Sequence, residues 1–72
     1  MAAIVDARGL RCPWPALRLA RAMRGLAAGA GVRLIADDPA AAAEVAAMAA
    51  ERGWTVATPA PDTFDVTVRI VP

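Results

Sequence analysis

Histidine is absent from this 72-residue chain, and cysteine occurs once, at position 12. The missing histidine removes the commonest neutral metal ligand and the usual general base, and one thiol cannot close an internal disulfide. Structural zinc, a Cys-x-x-Cys oxidoreductase with its own resolving thiol, and a protease-style Cys-His pair are thereby set aside, and no metal or resident cofactor is expected. Long apolar runs are also missing: Asp, Arg or Gly interrupts each one well before membrane-spanning length. Residues 1–6 carry no basic start followed by an apolar stretch, so a cytoplasmic protein outside the membrane is expected. Aromatic residues make up only 4% of the chain. With no aromatic-basic platform for bases to stack on, direct nucleic-acid binding is not expected.

What remains suits one small domain over residues 1–72, with site and scaffold sharing a single core. Hydrophobic residues reach 58%, but much of that is alanine, which favours helix and buries little area. The net charge of +1 conceals an asymmetry. Residues 1–36 hold six arginines against one aspartate, a net of +5, whereas residues 37–72 hold two arginines against six acids, a net of −4. The basic half contains the cysteine. This pattern favours an anionic partner, whether an acidic protein surface or RNA, and is equally compatible with two solvated faces that keep the domain soluble.

Hydrophobic periodicity predicts β-α-β-α-β-β. Residues 3–6 form a first strand closed by a turn at 7–9. A helix starts at or just after Cys12 and runs to about Ala28, its stripe formed by Leu17, Ala20, Met23 and Ala27 and widened by Leu19 and Leu26, with release at 29–31. Arg18, Arg21 and Arg24 lie three apart on another face. A second strand spans 32–37. Asp38 before Pro39 caps the second helix, unless Asp37 or Asp38 only closes the strand, and Gly53 stops that helix. Ala41, Val45, Met48 and Arg52 mark one of its sides, with Glu44 and Glu51 on the other. Strands at 54–58 and 64–70 flank the turn-forming stretch 59–63, with Phe64, Val66, Val68 and Ile70 directed at the helices. The expected fold is a two-layer α/β sandwich: a mixed four-stranded sheet with two helices on one face.

Residues 8–15 read Arg-Gly-Leu-Arg-Cys-Pro-Trp-Pro. A lone cysteine here is a small buried hydrophobe, an incidental surface residue or a reactive thiol. The helix start favours the last: its amides stabilise an anion, placing the expected thiol pKa below the ordinary ~8.5. Arg8 and Arg11 add attraction if turns bring their guanidinium groups close. Pro13 and Pro15 pre-set the first helical turn, and the turn at Gly9 leads into it. Trp14 either offers a partner an apolar contact or packs in the core.

These residues resemble the TusA family, also called SirA-like, of small sulfur carriers. The likeness extends from Asp6-Ala7-Arg8-Gly9-Leu10-Arg11-Cys12-Pro13-Trp14-Pro15 through the first helix and Asp37-Asp38-Pro39 to the last strand. It implies that Cys12 accepts persulfide sulfur from a cysteine desulfurase, a rhodanese-like protein or another persulfide donor, and passes it to a downstream acceptor protein. The chain is then a relay carrier or sulfurtransferase rather than a self-contained enzyme, with a transient persulfide as its only added group. Relatives serve tRNA thiolation, molybdenum-cofactor assembly and sulfur oxidation. Arg8, Gly9, Arg11, Pro13 and Pro15 become supporting residues, and Trp14, Arg18, Asp38 and Glu44 candidate partner contacts. Many members carry Asp-Ile-Pro, a variable residue and Phe where this chain has Glu44-Val45-Ala46, Ala47 and Met48, a difference that bears on partner choice. The competing reading is a non-catalytic regulatory or interaction module, whose effect would survive loss of the thiol.

Overall fold

The structure, a computed structural model, describes residues 3–70; residues 1–2 and 71–72 of the expected domain and N-terminal segment lie outside it. The element order is β1 (Ala3–Asp6), α1 (Trp14–Met23), β2 (Gly31–Ile35), α2 (Ala41–Arg52), β3 (Trp54–Ala60) and β4 (Thr63–Val68). The strands form one sheet in the order β1-β2-β4-β3. β1 runs parallel to β2, while β4 is antiparallel to both β2 and β3, so the sheet is mixed as the pattern predicts.

Alternation along each strand divides the sheet into two faces. Val32 and Leu34 of β2 pair with Val66 and Phe64 of β4, and all four are buried under the helices. The register places Arg33 beside Asp65 on the other face, where they form an ion pair at 2.7 Å. The guanidinium holds the Asp65 carboxyl below its usual range. Leu19 and Met23 of α1 and Ala41, Val45 and Ala49 of α2 pack against them, with Ala7, Ala36 and Trp54 in the same core. The buried side of α1 is thus Pro15, Ala16, Leu19 and Met23, whereas Leu17, expected inside, is exposed.

Several boundaries differ from the periodicity. α1 stops at Met23 rather than Ala28: Arg24 is already extended, at φ −62° and ψ 127°, and Gly25 completes the turn at φ +77°, a conformation costly for other residues. Leu26 nevertheless packs against the core from outside the helix, which is why its spacing mimics a helical position. Gly31 joins β2 instead of the loop, and β2 ends at Ile35. α2 begins at Ala41, so Asp38 does not cap it directly; its Oδ1 instead accepts from the Ala40 amide at 3.1 Å and shapes the turn leading in. On α2 the buried line is Ala41, Val45 and Ala49, with Met48 partly buried at its margin and Arg52 exposed. Gly53 ends α2 as expected, in the left-handed conformation.

β3 extends through Pro59 and Ala60, narrowing the expected 59–63 connection to Pro61 and Asp62. The β3–β4 register slips between Ala57 and Ala60, which places Pro59 at an irregularity on an edge strand. Ile70 lies beyond β4 and is 72% exposed, contrary to the alternating pattern that sent it inward; strand alternation carries no weight once the ladder has ended.

Candidate functional site

The loop from β1 to α1 is fixed at both ends by hydrogen bonds. Ala7 donates its amide to the Ile35 carbonyl at 2.8 Å, prolonging the β1–β2 ladder, and Leu17 donates to the Pro13 carbonyl at 3.1 Å as α1 begins. Pro13 precedes the helix and Pro15 lies in its first turn, where a missing amide hydrogen removes no helical bond. Pro15 is buried and anchors the turn, while the Cys12–Pro13 peptide bond is cis.

Cys12 is exposed, so the buried-hydrophobe role is excluded. Two acidic segments surround it. The Cys12 amide donates to Asp38 Oδ2, and the Cys12 thiol donates to Glu44 Oε1 on α2. Asp37 accepts from the Gly9 amide at 2.9 Å, so consecutive aspartates after β2 hold two points of the loop. Between Gly9, Leu10 and Arg11 on one side and Asp37 and Asp38 on the other lies a shallow recess of about 210 Å³.

This arrangement reverses one expectation. The hydrogen bond to Glu44 pushes the Cys12 thiol pKa up; partial desolvation and the charges of Glu44 and Asp38 act in the same direction. Cys12 lies before the helical turn, and its side chain turns to α2 instead of the helix end, where the field of the amides is concentrated. Arg8 does not offset this, because Asp6 binds its guanidinium in bidentate fashion at 3.0 and 2.8 Å. The pairing draws the Asp6 carboxyl down to about 2. Arg11 acts on Asp38 rather than on the sulfur. Asp38 is held below its ordinary range by its bonds from the Ala40 and Cys12 amides, with a smaller contribution from Arg11.

Trp14 is 57% exposed, which removes its alternative role as a core residue. With Leu17, Arg18 and Arg21 it lines a groove of about 300 Å³ along the outer side of α1, starting two residues from the thiol. The structure thus brings Cys12, Asp38 and Glu44 together, sets Trp14 and Arg18 on an adjoining surface, and assigns Arg8 to Asp6. Sequence reasoning missed Asp6, Asp37, Leu17 and Arg21. The adjoining Asp37-Asp38 pair was the available signal for Asp37, but nothing local links position 37 to position 9.

Among the described residues, no group of three or more His, Cys, Asp or Glu side chains is placed to hold a metal ion. No helix among them is long and apolar enough to cross a membrane. Proteins called sulfur carrier protein TusA from Pseudomonas putida are 51% identical in two strains and 49% in a third, over 37 residues that make up 51% of this chain and 46% of each relative. This chain therefore aligns with about half the length of those relatives. The crystal structure of a SirA-like protein from Desulfitobacterium hafniense superposes with a TM-score of 0.71 at 26% identity, covering 92% of this chain and 93% of that one. The family described as Sulfurtransferase TusA matches residues 3–70, the whole of the described fold, and the chain belongs to that family.

Proposed function

We propose that the protein is a sulfur carrier that accepts persulfide sulfur on Cys12 from a donor protein and delivers it to a downstream acceptor. The observation that carries this reading is the exposed Cys12 at the entry to α1, within the stretch matched by the family. Its thiolate attacks the outer sulfur of a donor persulfide, the donor's S–S bond breaks, and the donor leaves as a thiolate that takes up a proton. Cys12 is left as a persulfide, and the pair of proteins is neither oxidised nor reduced overall. Delivery repeats the exchange with the acceptor as nucleophile. With no second cysteine in the chain, resolution falls to another protein. A cysteine desulfurase or a rhodanese-like protein has the chemistry required of the donor.

Incubation with a persulfide-loaded donor of either class is expected to add one reducible sulfur atom to Cys12, seen by intact-protein mass spectrometry. Cys12→Ser is expected to keep the fold and lose the adduct, since the hydroxyl oxygen does not replace an ionisable sulfur nucleophile. Failure to load with several donor classes, in folded protein whose thiol still alkylates, would overturn the proposal. The exposed groove beside Trp14 supports a protein-docking surface and keeps one competitor in view, a purely regulatory interaction module. That module would retain its cellular effect in Cys12→Ser.

A further inference from the structure

We propose that Glu44 makes Cys12 selective for donors that bring a positive charge beside the sulfur they deliver; the inference rests on the carrier reading and concerns which donor surface suits it. Glu44 is half-buried on α2 and receives the thiol hydrogen of Cys12, while Asp38, on the segment before α2, receives the Cys12 amide. Sulfur transfer requires the thiol to lose its proton, and the resulting anion then faces the Glu44 carboxylate with Asp38 close by. Among the described residues, the charged groups that act on the thiol are Glu44 and Asp38, both acidic. Of the loop's cations, Arg8 is held by Asp6, whereas Arg11 forms no ion pair among the described residues and its charge bears on Asp38. Whenever the sulfur is nucleophilic it therefore faces the Glu44 carboxylate with no cation hydrogen-bonded to either, and a positive charge on the incoming molecule relieves that repulsion.

This local demand has the opposite sign to the neighbouring surface. Arg18 and Arg21 line the groove with Trp14 and Leu17, and they call for acidic groups on whatever docks there. A matching donor face carries a cation next to its persulfide and acidic groups farther along α1. A donor of uniform charge satisfies only one of the two.

The test uses two small persulfides, those of cysteamine, which carries an ammonium group, and of 3-mercaptopropionate, which carries a carboxylate. In each reaction the Cys12 thiolate takes the outer sulfur, the persulfide S–S bond breaks, and the small thiolate leaves. Rates of loading are divided by those of 2-mercaptoethanol, which has no other charged group, under the same conditions, which cancels the different leaving-group abilities. The normalised ratio of cationic to anionic donor is expected to be roughly tenfold at low ionic strength, to shrink with added salt, and to fall to within about twofold in Glu44→Gln. Asp38→Asn is expected to lower it less. A normalised ratio near one in the wild type, or one unchanged in a folded Glu44→Gln protein, overturns the inference. If neither small persulfide loads the wild type, the carrier reading is decided by the protein donors described above. The charge preference is then decided by thiol–disulfide exchange with cystamine and 3,3′-dithiodipropionate, where the same normalised ratio and the same loss in Glu44→Gln are expected and their absence overturns it.

Discussion

A thiol that donates to a carboxylate keeps its proton to higher pH than a free one, and Cys12 does so at an exposed position. The sign follows from which form reacts. The thiolate is the nucleophile, so alkylation by neutral iodoacetamide is expected to accelerate as pH rises, with a midpoint above that of an ordinary cysteine. Glu44→Gln removes the adjacent charge and a carboxylate acceptor. Its midpoint is expected to move down and its rate at pH 8 to rise severalfold, measured by quenched alkylation and mass spectrometry; a midpoint that does not move would show that Glu44 does not set the titration. Because the thiolate is also the form that oxidises, slower oxidation by peroxide than in Glu44→Gln is expected at neutral pH. Composition singled out Cys12, because one cysteine and no histidine leave few chemistries open. Its electrostatic setting was not legible in the same way. The flanking arginines suggested attraction, but Asp6 captures Arg8 two residues away, and the group that reaches the sulfur lies 32 positions downstream.

At the scale of elements, strands and helix ends marked by glycine were readable where a local rule sufficed. Gly53 stops α2 in the left-handed conformation, with no atom within 4 Å of where a Cβ would stand. Gly53→Ala is therefore expected to destabilise the fold by about 1 kcal/mol through backbone conformation alone. Gly53→Asn should recover part of that loss, with both variants followed by urea unfolding. Equal stability of the alanine variant would contradict the conformational assignment. The end of α1 was less readable because Leu26 occupies a helical spacing while reaching the core from beyond Gly25. Ile70 misled in a similar way, continuing the alternation of β4 after its ladder has ended. In both cases the apolar pattern outlasted the hydrogen bonds that give it meaning.

Across the whole molecule, the division of charge along the sequence becomes a division between an arginine-bearing helix and an acidic thiol site. Arg18 and Arg21 occupy solvent-facing positions beside exposed Trp14 and Leu17, and neither forms an ion pair among the described residues. Reversing both charges, Arg18→Glu with Arg21→Glu, is expected to slow sulfur acceptance from a protein donor by about tenfold or more at low salt. Iodoacetamide alkylation and thermal stability should change little. A transfer rate unaffected by the reversal would remove α1 from the docking surface. The opposite side of the molecule raises a different issue, that of avoiding self-association. Among the described residues the outer edge of β3 pairs with no other strand, yet Pro59 supplies no amide hydrogen there and the register slips beside it. A foreign strand attempting to extend the sheet finds its row of donors interrupted, so the edge is a poor template for polymerisation even at high concentration.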